Sequence, residues 1–158
     1  MKQLILLTFS FILFGTACKS TETSSTKPSG PTTVAQFIEQ NPESAENYTW
    51  FDEDEHSNTW VMVDEFPRII NGMKDLQARI SRTVRNNPSE DCEQLKGERV
   101  LYQFVINENG LISNLRSHLD EPNACSDLME ITIRSTQYTS GKVNGEPVRV
   151  VMGLPVKF

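Results

Sequence analysis

The sequence predicts an α+β fold: a small antiparallel sheet of about three strands with two helices packed on one face. Three observations carry that expectation. Val100, Tyr102, Phe104 and Ile106 fall on alternate positions, as a strand with one buried face requires. Val148, Val150, Met152, Leu154, Val156 and Phe158 repeat the same period at the end of the sequence. Between and before these runs, Met73, Leu76, Ile80 and Val84 recur at helical spacing. A lone hairpin is marginal in water, but three strands with a helix on one face stand alone.

The 158 residues leave room for one ordinary domain plus appendages, divided here as 1–17, 18–33, 34–58 and 59–158. Residues 1–17 read as a secretory signal peptide. Lys2 is a short basic start, residues 4–14 are an apolar run too short for a comfortable membrane span, and Gly15-Thr16-Ala17 supplies small residues. Cys18 directly after them resembles a bacterial lipobox, in which the cysteine is lipidated and heads the mature protein. Gly15 stands where that motif usually has leucine. The alternative is ordinary cleavage that leaves Cys18 a free thiol. Lipidation implies export and a lipid anchor in the cell envelope, with the outer membrane favoured because Lys19, not aspartate, follows the cysteine. Residues 19–33 are Ser, Thr, Pro and Gly without an apolar period, a flexible leash for whatever follows.

Residues 34–58 form a poorly defined acidic segment. Val34, Phe37 and Ile38 have helical spacing until Asn41-Pro42 breaks it. Asp52-Glu53-Asp54-Glu55-His56 invites a metal-site reading. Consecutive residues of an extended segment point alternately, however, and the spacing lacks the calcium-loop pattern, so a solvated loop is expected. Residues 59–64 are a short strand candidate. Asn71 is placed to cap the first helix, Asp75 to complement its dipole, and Asn86-Asn87-Pro88 to end it. Asn109-Gly110 is the dipeptide that most readily turns a tight hairpin. Leu111, Ile112, Leu115 and Leu119 return less regularly, as a strand with a bulge would. Ser126 or Asp127 caps a second helix through Leu128, Ile131 and Arg134, while Ser140-Gly141 and Asn144-Gly145 signal turns. Pro155 cannot donate to a ladder, so the last strand is expected to keep a free edge there.

With Cys18 assigned to lipid, Cys92 and Cys125 remain. Two thiols in an exported protein favour a disulfide; a metal pair or a reactive thiol is the alternative. A formal charge of −6 offers no basic stripe for nucleic acid. No catalytic constellation, metal site, cofactor motif or small-molecule site is evident, and no enzymatic activity is expected. A thiol enzyme would need Cys92 or Cys125 beside His118, which a strand position next to Leu119 does not favour.

From residue 59 onward the chain resembles the C-terminal domain of TonB in the form common among Bacteroidetes. The resemblance rests on Val63-Asp64-Glu65-Phe66-Pro67 with Gly72-Met73 and Leu76, on Gly97, Phe104, Ile106, Gly110 and Ile112, and most specifically on the ending. There Gly141-Lys142, Gly145, Pro147-Val148, Val150 and Pro155-Val156-Lys157-Phe158 follow the family pattern. Tyr138-Thr139-Ser140-Gly141 stands where the family usually has W-x-P-G, and Asn87-Pro88-Ser89-Glu90-Asp91 replaces Y-P-x-x-A. A TonB proper also carries an uncleaved membrane helix and a long Pro-rich spacer. The resemblance implies a binding module, with the TonB box of an outer-membrane transporter as candidate partner. Binding would add an extended protein segment along the last strand, at Pro147, Val148, Arg149, Val150, Val151, Met152, Gly153 and Leu154. The rival reading is an accessory envelope lipoprotein that keeps the fold without peptide binding.

Overall fold

The computed structural model describes residues 30–158; the expected signal peptide, Cys18 and nearly all of the expected leash lie outside them. The first sheet element comes earlier than expected. β1 (Thr32–Thr33) leads directly into α1 (Val34–Gln40), where the Thr33 hydroxyl and the Gln36 side chain close a reciprocal capping box. Two 3₁₀ turns follow, Pro42–Tyr48 and Glu53–Glu55, before β2 (Thr59–Met62). The remaining elements are α2 (Gly72–Asn86), α3 (Glu90–Gln94), β3 (Arg99–Ile106), β4 (Ile112–Ser117), α4 (Ala124–Arg134), β5 (Gly141–Val143) and β6 (Glu146–Lys157).

The α+β class holds, but the sheet has six strands rather than three, ordered β1-β2-β6-β3-β4 with β5 paired to β6. Nor is it wholly antiparallel. β2 runs parallel to β6, with Thr59 beside Arg149 and Trp60 beside Val150. β6 sits at the centre, between β2 and β3. Against β3 it pairs without interruption from Arg99↔Lys157 to Ile106↔Val150.

Even-numbered residues of β3 and β6 point to one face. Val100, Tyr102, Phe104, Ile106, Leu154 and Val156 form the main core with Leu76 and Ile80 of α2 and Met129 and Ile133 of α4. Fully burying each such side chain stabilises by roughly 1.5–3 kcal/mol. The expected stripe on α2 is half right: Leu76 and Ile80 are buried, whereas Met73 is 47% exposed. The expected face of α4 is rotated. Asn123, not Ser126 or Asp127, caps it, and Ser126 instead completes the capping box. Met129, Thr132 and Ile133 therefore turn inward and Ile131 outward. Thr132 and Thr136 satisfy their hydroxyls on the carbonyls of Leu128 and Thr132, which lets them sit inside.

The hairpin turn also differs in detail from an Asn-Gly two-residue turn. Asn107 and Leu111 close it, Asn107 Oδ1 accepts from the amides of Asn109 and Leu111, and Gly110 alone has a positive φ of 76°. A Cβ on Gly110 would overlap the Tyr138 carbonyl, which explains glycine there. The expected bulge in β4 is present: two residues, Asn114 and Leu115, oppose Phe104, and Asn114 takes φ 49°. The Asn144-Gly145 turn signal is met by φ values of 51° and 84°, closing the β5–β6 hairpin at Val143↔Glu146.

The 34–58 segment is ordered structure against the second face of the sheet, not a loose acidic appendage. Val105 points away from the main core yet is wholly buried, as are Val34 and Thr59. Arg116 of β4 stacks 5.2 Å from the Trp50 ring centroid, and Glu55 pairs with Arg149 of β6 at 2.8 Å. These contacts identify residues 34–58 as the cover of that face. Glu55, read as part of a solvated acidic loop, is thus committed to β6.

Candidate functional site

Two partners flank the first half of β6. Glu146, Pro147 and Val148 pair with β5, and Arg149 and Val150 pair with β2. Beyond Val150 the ladder to β2 stops, while the ladder to β3 continues to Lys157. Phe158 donates its amide to the Glu98 carbonyl and accepts from the Gly97 amide, so its main-chain groups face the β3 side. Alternation from Phe158 turns the main-chain groups of Met152, Leu154 and Val156 toward β3. The groups of Gly153, Pro155 and Lys157 point the other way. No strand pairs with that outward edge over residues 153–157 among the described residues. Pro155 falls on an outward position, where its missing N–H costs no ladder bond. The free edge expected at Pro155 is where the sequence placed it.

Of the eight residues expected to form the binding edge, the structure therefore divides the set. Pro147, Val148, Arg149 and Val150 have strand partners beyond β3 or in its place, and the open stretch begins only near Gly153. The opening also extends past Leu154, to Lys157. The core face of this stretch is firmly held: Leu154 and Val156 are buried, and Gly153, Pro155 and Lys157 are exposed.

A groove of about 630 Å³ lies along that stretch. One wall is α2, through Met73, Gln77, Ile80 and Ser81; the other is Arg99 of β3 and residues 154–158. It continues past Ile80, Ser81 and Phe158 into a space of about 380 Å³ flanked by Arg85, Lys96 and Glu93. The apolar wall was legible as the helical stripe of Met73 and Ile80. Lys96 and Arg99 lie far from Lys157 in sequence, and only the β3–β6 register brings Arg99 and Lys157 opposite each other.

The two cysteines meet. Cys92 of α3 and Cys125 of α4 form a disulfide with Cα atoms 5.2 Å apart, both nearly inaccessible. It ties the short α3 to the helix layer below the groove, and the thiol alternatives of the sequence reading do not arise in this state. His118 is exposed at the end of β4, its Nε2 2.6 Å from Gln103 Oε1, which also receives two Arg116 bonds. Desolvation first, and the Arg116 charge second, hold its imidazole below the ordinary histidine range. Both groups serve to bind β4 to β3. Among the described residues no three His, Cys, Asp or Glu side chains gather as a metal site, and no helix is long and apolar enough to cross a membrane.

Two phenols in the core are strongly perturbed. Burial raises Tyr102, reinforced by Glu130 and Asp127, and burial raises Tyr138 to about 12 against a lowering by Arg79. Both hydroxyls lie behind the sheet, away from solvent, and offer no accessible acid or base. The chemistry this surface can perform is main-chain recognition: outward donors and acceptors on a strand edge, beside an apolar helix wall.

No protein-family model, no curated protein and no solved structure matches this chain.

Proposed function

We propose that this chain is a cell-envelope lipoprotein whose domain binds an extended protein segment by strand addition. The observation that carries this reading is the outward edge of β6 over residues 153–157, unpaired among the described residues and running beside the α2 groove. A single added strand would satisfy the Gly153 and Lys157 amides and lay alternate side chains against Met73 and Ile80. The resemblance of residues 59–158 to TonB C-terminal domains supports the same mode and makes the TonB box of an outer-membrane transporter the leading partner. Residues 1–18 support export and lipid anchoring through Cys18, favouring the outer membrane. The rival, an accessory lipoprotein that keeps the fold alone, would leave this edge empty.

The test is affinity capture from detergent-solubilised envelope with the whole chain and with Gly153→Pro. Proline at 153 deletes one outward donor and leaves the β3 ladder intact, as native Pro155 already does. The reading expects a transporter captured by the parent and lost with Gly153→Pro, with the bound segment protecting the Gly153 amide from hydrogen exchange. Equal capture by both proteins would contradict it.

A further inference from the structure

The groove beside β6 is cationic in a chain that is acidic overall. Arg99 and Lys157 line its main part, and Arg85 and Lys96 line its continuation. The one acidic side chain among the lining residues, Glu93, is already paired with Lys96 at 3.3 Å. The whole chain carries 21 acidic against 15 basic side chains, so the groove reverses the protein's own sign. Of the basic residues of α2, Arg85 alone lines this space. Arg79 is excluded from the groove's account because Thr136, Ser135 and the Thr132 carbonyl hold its guanidinium.

We infer that this groove selects an acidic extended segment, one in which carboxylates alternate with apolar side chains. The inference rests on the strand-addition reading and names the chemistry of what is added. A strand on the outward edge presents successive side chains to opposite sides. One set would meet the apolar wall of Met73 and Ile80, and the other would pass near the Arg99–Lys157 pair. Each exposed ion pair contributes little, but several cations on one short groove raise the encounter rate and reject a basic segment. The partner is thus a protein segment bearing Glu or Asp at every second position.

Fluorescence anisotropy with three labelled ten-residue peptides tests this on the whole chain in detergent. The peptides alternate Thr and Val with Glu, with Gln, or with Lys. The Glu peptide should bind about ten-fold tighter than the Gln peptide at low salt, and that advantage should collapse near 0.5 M NaCl. The double variant Arg99→Glu, Lys157→Glu should prefer the Lys peptide. Gly153→Pro should weaken all three. Equal binding of the Glu and Gln peptides would overturn the charge selection while leaving strand addition standing. No binding by any peptide would overturn both. A Glu preference undiminished in Gly153→Pro would show attraction unrelated to the edge and overturn the inference, as would a dimer sealed through this edge in sedimentation.

Discussion

The two halves of β6 have one sequence pattern and two fates. Residues 146–150 are flanked by β5 and β2, and Val150 is wholly buried between neighbours. Residues 153–157 keep the same alternation and pair with β3, yet have no strand on the outward side among the described residues. Alternating apolar residues fix which face of a strand is buried. They say nothing about how many edges are paired, because edge pairing uses the main chain that every residue shares. Proline is the exception, since it removes a donor, and Pro155 is the one residue that marked the open half.

The sharpest way to break the comparison is to put proline on the wrong parity. Leu154→Pro removes an amide that faces β3 and a buried side chain, and should lower unfolding free energy by about 4 kcal/mol in denaturant titration. Reducing the Cys92–Cys125 disulfide should cost about 3–4 kcal/mol by the loop-closure estimate and lower the thermal midpoint. That loss comes from the helix layer and should not alter the contrast between the two halves of β6. Gly141→Ala tests the covered half. Its Cβ would overlap the Val150 side chain, so a loss of about 2 kcal/mol is expected, whereas a neutral result would mean that β5 yields easily.

These expectations show how unevenly the sequence carried the fold. The β3–β4 hairpin, the bulge, β6 and the cysteine pair were all legible, since local periodicity, turn chemistry and cysteine count determine them. The α4 face was misread because it was traced through Leu128 and Ile131. Thr132 back-bonds to the Leu128 carbonyl and packs inside, while Ile131 is left 65% exposed. The cover formed by residues 34–58 was illegible for a different reason. Trp50 and Glu55 show no period of their own, and they are held by Arg116 and Arg149 far along the chain. The site was half legible: Pro155 announced the edge, but only the register shows that the opening starts near Gly153.

The buried phenols add a pH dependence common to both halves. Tyr102 pairs with Leu154 across the β3–β6 ladder, and Tyr138 packs 5.7 Å from Phe104. Their folded pKa values lie above the ordinary phenol value of 10.0. Their contribution is therefore complete below pH 10 and is lost as pH rises toward about 12, because the unfolded chain loses these protons first. Thermal midpoints measured from pH 9 upward should fall, and Tyr138→Phe should flatten part of that fall. The smallest effect expected is that of Gly153→Pro on stability, within about 1 kcal/mol of the parent, since no ladder bond is removed.

Native-state hydrogen exchange of the free protein, read amide by amide along β6, tests the central claim most directly. Leu154 and Val156 should exchange slowly, Gly153 and Lys157 fast, in strict alternation past Val150. Protection of Gly153 comparable to that of Leu154 would mean that the outward edge is already occupied, and would contradict the account of this strand as an open half-site.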